Sequence, residues 1–291
     1  MGWIPFALAC MVLTVAKTLL AKKLLNSLTP RTFLFGDLCF SFCFLLPFVP
    51  WAEVFSVSSD YLLVAAGIAI PGVVALVFLS KATKEGEISE VAPLMCLIPA
   101  LTALTAPIVT GESVSAIGWL GIIVVLVGGY LLKLDDHRQP WKPFQALGRE
   151  KAVRYLGVTI SIAVLTVNFQ KLLVLESSPK SYLFFHLLFL TALSLPLALS
   201  QGKIKGANLF RQLEAHFGWF VILGLVSLGS SLSLMTAFAM GAPVAYVLSI
   251  KRISIVFIAI IGVISLRESF RKPKMFGVVF MVAGGMILYL G

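Results

Sequence analysis

Long apolar runs, broken at near-regular intervals by short polar clusters, organise the whole chain. The apolar positions do not alternate with polar ones, and they do not form a narrow stripe along one helix face. They fill stretches of roughly twenty residues, the length a helix needs to cross a bilayer. The pattern predicts ten spanning helices, over 3–21, 32–51, 61–80, 88–109, 116–134, 153–175, 181–200, 217–238, 242–264 and 274–290. The stretch 215–250 holds no Asp, Glu, Lys or Arg and is too long for one span; Gly241-Ala242-Pro243 supplies its break. Pro71-Gly72 predicts a break in the third helix, and Pro93, Pro99 and Pro107 breaks in the fourth. A β-barrel would need alternating segments of about ten residues, so the unbroken runs favour helices. The N-terminus, MGWIPF, has no basic region before the apolar run and no small-residue cleavage site after it, so the first run is expected to stay as a span.

Most connections are short. The exception is 135–152, which is polar and basic, carries two prolines, and divides a first unit, 1–134, from a second, 153–291.

Composition removes the soluble alternatives. Of 291 residues, 59% are hydrophobic and only 12% charged, about half of the ~25% usual in soluble domains. Mean hydropathy is +1.00. A globule of this size cannot hide so much apolar surface from water, so lipid is the solvent for most of the chain.

The net charge of +10 is a topology signal and not a nucleic-acid footprint. Alternating spans place 18 of the 23 Lys and Arg residues on one face, among them Lys22, Lys84, Arg154, Lys203 and the bases of 135–152, and only Lys180 on the other. By the positive-inside rule the basic face, loop 135–152 included, is cytoplasmic in a cell (plasma or inner) membrane, with both termini outside.

The chain also repeats itself. At an offset of 156, Glu112-Ser113 falls on Glu268-Ser269, Gly121 on Gly277 and Gly128-Gly129 on Gly284-Gly285. Offsets of 149 to 155 superpose Pro30 on Pro179, Pro47 on Pro196, Val12–Val15 on Val164–Val167, Ala82 on Ala237 and Gly86 on Gly241. The order is collinear, so a five-helix unit is duplicated. Five is odd, and the second copy must enter the membrane from the opposite side. Inverted repeats of this kind are the signature of alternating-access transporters, with the site near the midplane between the copies. Gly121 and Gly128, like Gly277 and Gly284, lie seven residues apart and form small-residue stripes suited to close helix packing.

The pattern Ala-x3-Gly, Pro, Gly-Glu-Ser and Gly-x6-Gly-Gly that closes the first half, and returns around Glu268-Ser269 in the second, resembles the EamA-type drug/metabolite transporter superfamily. That resemblance implies an all-α membrane protein, ten helices forming a basket around a central cavity, moving small metabolites without ATP-hydrolysing parts; the chain has no G-x4-G-K-[ST] loop. It departs from the family's pattern where an Arg commonly stands seven residues after the proline opening the second helix of each repeat. Here these positions are Asp37 and His186. The resemblance also implies cytoplasmic termini, against the charge pattern, and the expectation follows the charges.

Charges deep in a span are costly and default to functional hypotheses. Lys251 and Arg252, near the centre of the ninth helix, suit an anion: Arg offers a fork for carboxylate or phosphate and Lys a point charge. The dipeptide also resembles the phosphate-contacting pair of the triose-phosphate and nucleotide-sugar branch. Lys17 and Lys171 occupy equivalent depths in the first and sixth helices, with Asn168 one turn before Lys171; snorkelling to the interface is their bland alternative. These five are the candidate solute-binding residues. Asp37 and His186 are candidates for coupling, because His titrates near neutrality, or for a structural ion pair of Asp37 with Lys17, Lys251 or Arg252. Four interior cations against one acid favour an anionic or zwitterionic solute.

Glu112 and Glu268 read as scaffolding at helix N-termini, with Ser113 and Ser269 as caps. Cys10, Cys39, Cys43 and Cys96 lie inside spans without C-x-x-C or Cys/His clusters, which predicts packing thiols and no metal or cofactor. The expected partners are a small solute, the lipid bilayer, and a coupling proton or counter-substrate. The competing reading, a membrane-embedded enzyme acting on a lipid-linked substrate, lacks H-E-x-x-H, paired intramembrane aspartates and a Ser/His/Asp cluster.

Overall fold

The structure is a computed structural model and describes residues 2–85, 94–133, 151–200, 206–266 and 272–290. Loop 135–150, Pro93, Glu268 and Ser269 lie outside the described residues. The elements in chain order are α1 (Ile4–Ser27), α2 (Pro30–Leu45), a short turn of helix α3 (Trp51–Val54), α4 (Ser59–Glu85), α5 (Leu97–Val109), α6 (Ala116–Lys133), α7 (Lys151–Glu176), α8 (Pro179–Leu199), α9 (Gly206–Ala215), α10 (Phe217–Ala239), α11 (Val244–Arg252), α12 (Ser254–Leu266) and α13 (Lys272–Leu290).

Six of these, α1, α4, α7, α8, α10 and the segment Pro30–Phe48, are long and apolar enough to cross a membrane; Leu97–Val109, Ala116–Leu131 and Phe276–Leu288 are shorter apolar helices. Each falls on a predicted span. Three features of the expectation change. The ninth run is two helices, parted at Ile253, whose N–H closes a tight turn onto Ile250 O and Lys251 O. Pro71 does not break α4, which runs through it; in a bundle, neighbouring helices and local adjustment tolerate the lost hydrogen bond. Pro99 sits in the first turn of α5, where its missing N–H had no helical partner anyway, and Pro107 lies in its last turn. Helix α9 is amphipathic and too short for a span; it packs on α2, α8 and α10, with Leu209 and Leu213 buried.

Local chemistry sets the helix ends. Thr29 accepts the N–H of Thr32 at the start of α2, and Ser178 accepts that of Ser181 at the start of α8, each followed by proline at the first helical position. At the basic end, Lys84 Nζ donates to Leu28 O at 2.6 Å and Lys22 Nζ to Thr83 O at 2.9 Å, satisfying carbonyls that helix ends leave open.

Helices pack in related pairs. Helix α1 lies along α10 and α7 along α4; α2 packs on α10 and α8 on α4; α1 meets α11 and α7 meets α5. Helices α6 and α13 form the longest seam. Their glycine stripes face each other so closely that a Cβ on Gly128 would stand 2.7 Å from Met281 N and 2.8 Å from Gly277 O.

Candidate functional site

Three groups of polar residues break the apolar interior. The first joins α1 to α2. Lys17 Nζ stands 3.1 Å from Asp37 Oδ2. Asp37 is 5% exposed, and its other oxygen has no hydrogen-bond partner. The Lys17 side chain keeps 36% of its exposure. One turn earlier, Thr14 meets Ser230 of α10 at 3.2 Å.

The second group is the cation pair. Lys251 and Arg252 occupy the last turn of α11, directly before the break at Ile253. The open carbonyls of a helix C-terminus favour positive charge there. Lys251 is seven residues from Val244, roughly 10 Å along the axis from the start of the helix. Neither residue has an ion pair or hydrogen bond with another described residue, and Arg252 Nε is a buried donor without a partner. Lys17 and Lys251 lie within electrostatic reach of each other. The register that superposes Gly121 on Gly277 sets Met95 and Cys96 opposite Lys251 and Arg252. The chain turns at both places, and only the second copy carries charge.

The third group gathers on α7. Lys171, 2% exposed, forms a close ion pair with Glu112 and donates to Ala242 O at 2.6 Å. Glu112 Oε2 also accepts the N–H of Val244, the first residue of α11, at 3.2 Å. Asn168, fully buried, donates through Nδ2 to Thr105 Oγ1 of α5 at 2.8 Å and leaves Oδ1 without a partner. His186 stands apart from these groups: its ring stacks on Tyr182 at 5.2 Å, and neither its Nδ1 nor the Tyr182 hydroxyl finds a partner among the described residues.

The structure therefore joins Lys17 to Asp37, one of the alternatives open in the sequence, and gives Lys251 and Arg252 no acid among the described residues. It gives Lys171 a partner that sequence reading assigned elsewhere. The expected cap, Ser113, is not the one observed; Ser115 caps α6 by accepting the N–H of Gly118 at 2.9 Å. The cysteines are free, and no cluster of metal-ligating side chains occurs among the described residues.

Buried polar groups without partners are rare in proteins. Here Asp37, Asn168, Tyr182, His186, Ser227 and Arg252 contribute such atoms from α2, α7, α8, α10 and α11. A bundle whose outer faces are apolar but whose interior carries open donors and acceptors is suited to taking a polar solute.

The sequence profile of the EamA-like transporter family matches residues 1–134 and again residues 153–290. The chain belongs to the EamA-like transporter family. As a family member it is a multi-pass membrane protein that transports small molecules. A solved crystal structure matches this EamA-like chain with a TM-score of 0.70 and 15% identity, over 99% of this chain and 96% of the other. At that identity the likeness is one of fold. No curated protein matches the sequence closely enough to name a relative.

Proposed function

We propose that this EamA-like protein is a secondary transporter that moves a small anionic or zwitterionic metabolite by alternating access between two inverted five-helix repeats, residues 1–134 and 153–291. The observation that carries the reading is a charge imbalance. Lys171 is answered by Glu112 and Lys17 by Asp37, while Lys251 and Arg252 lie inside the membrane slab with no acid among the described residues. Two unanswered charges in an apolar slab are costly, and a bound anion answers them. The broken helix supports the assignment, since discontinuous spans place backbone and charge at transporter sites. Paired packing of α1 with α10 and of α7 with α4 supports the repeat arrangement.

In this reading Lys251 and Arg252 bind the anion and Lys17, the more exposed partner of its pair, completes the site. Asn168 offers a hydrogen-bond acceptor further along the wall. Asp37, acting through Lys17, and His186 are assigned to coupling with a proton or a counter-substrate.

The test is thermal stability of the purified protein against inorganic phosphate, succinate and choline. The two anions should raise Tm saturably and choline should not. Losing one charge-assisted contact costs about 1.5–3 kcal/mol, so Lys251→Ala and Arg252→Ala should each weaken anion binding roughly 10- to 100-fold. Saturable stabilisation by choline alone would overturn the reading. Exchange of labelled anion in proteoliposomes then separates transport from binding.

A further inference from the structure

The Glu112–Lys171 pair ties together parts of the chain that the solute site alone does not require. Glu112 lies in the turn between α5 and α6, Lys171 on α7, and both hold the turn between α10 and α11. Helix α11 is only nine residues long. Its first N–H is bound to Glu112, and its last turn carries Lys251 and Arg252. A second clamp acts on the same helix: Tyr246 OH meets Ser115 Oγ at 3.0 Å, over Gly118, where a Cβ would stand 2.0 Å from that hydroxyl oxygen.

We propose that Glu112 and Lys171 form a latch that holds α11 down as a gate on the membrane face of the α5–α6 turn, and that this latch opens when the solute site communicates with that face. Three observations support it. First, the pair joins residues from both halves of the chain, so relative motion of the halves strains it. Second, Lys171 is buried but 21% of the Glu112 side chain is exposed, so water can reach and separate the pair from one side. Third, the positions beside the latch are built to turn. Gly111 and Gly241 immediately precede Glu112 and Ala242, with φ of +70° and +80°. Both adopt the left-handed conformation that glycine accepts without strain, and no atom lies within 4 Å of where a Cβ would be. With the latch open, α11 is free to pivot between Gly241 and the break at Ile253, carrying the cation pair with it. Hinges at element ends serve such closures.

The proposal rests on the alternating-access reading above, and its test separates the two. In the full-length protein, with the four native cysteines replaced by alanine, a single cysteine is placed at Ala245, which is 1% exposed on α11. The reconstituted protein is labelled with a membrane-impermeant maleimide. Exposed Ser113, replaced as S113C, marks the face of the latch. On that face, A245C should label slowly with the latch intact and about fivefold or more faster in E112Q or K171Q. The conservative E112D, which keeps a carboxylate to accept the N–H of Val244 and to pair with Lys171, should return most of the protection. If E112Q fails to fold, Y246F loosens the same helix more gently and should raise labelling in the same direction. Unchanged labelling in folded E112Q and Y246F overturns the latch, even where phosphate or succinate still stabilises the protein. Faster labelling in a protein that no anion stabilises upholds the latch and removes the anion reading instead.

Discussion

Glu53 shows how a single exposed side chain ties a short helical turn to the start of a long helix. It lies on α3 and accepts hydrogen bonds from Ser178 and Ser181 at the start of α8, the latter at 2.7 Å. These two hydroxyls, with Lys180 nearby, hold its carboxyl below the ordinary value of 4.5. A depressed acid contributes stability that is fully present above its unfolded value and disappears as pH falls through the folded one. Glu53→Gln should therefore lower Tm slightly at pH 7, and the difference from the parent should shrink as pH falls below 4.5 and vanish once pH has passed through the lowered value of the folded state; a difference that persists or grows in acid would show that the contact does not act through the carboxylate. This pair could not be read from the sequence, because its partners are 125 and 128 residues apart. The same holds for Glu112, 59 residues from Lys171. Its place before α6 invited a scaffolding role at the helix N-terminus, and nothing local announced the lysine. Lys17 and Asp37 were easier, since two opposite charges inside adjacent spans have few other answers. Hydropathy exposes a residue that does not belong in lipid but not the group it meets.

At the scale of elements, apolar run length located the six helices long and apolar enough to cross a membrane and three shorter apolar ones, because lipid enforces that length independently of tertiary contacts. It could not show the break at Ile253, since a run stays apolar whether the helix continues or turns. It overread Pro71, and it missed α9, whose ten residues pack one apolar face and never approach a spanning length. The glycine stripes were informative in both position and purpose. Gly128→Ala adds a methyl that would meet Met281 N at 2.7 Å, so α6 and α13 must move apart. The expected cost is about 1–3 kcal/mol, the usual range for overpacking. Gly157→Ala on α7 meets nothing within 4 Å and should be neutral or slightly stabilising, because alanine is the better helix former. Denaturation midpoints of the two variants in one detergent test the contrast; equal midpoints would mean that the seam adapts at no cost.

For the whole molecule, the two family matches and the charge distribution constrain each other. Each match covers five predicted spans, and on that count a chain that enters from one side at residue 1 would enter from the other at residue 153. The expected distribution of basic residues, 18 on one face against Lys180 on the other, would then choose which side is which. Ser113, in the turn before α6, and residue 142, in the loop after it, are separated by one span. In intact cells S113C should react with an impermeant thiol reagent added outside, whereas K142C should react only after permeabilisation. The reverse pattern would keep the inverted arrangement and turn the molecule over, bringing its termini to the side that the family resemblance implies. Reaction of both from one side would remove the crossing between them, and with it the odd number of spans on which the inverted repeat depends. Orientation also decides what the proposed latch would do: with Ser113 outside, Glu112 and Lys171 would close the outer face, and an anion at the proposed Lys251–Arg252 site would exchange only with the cytoplasm until they part.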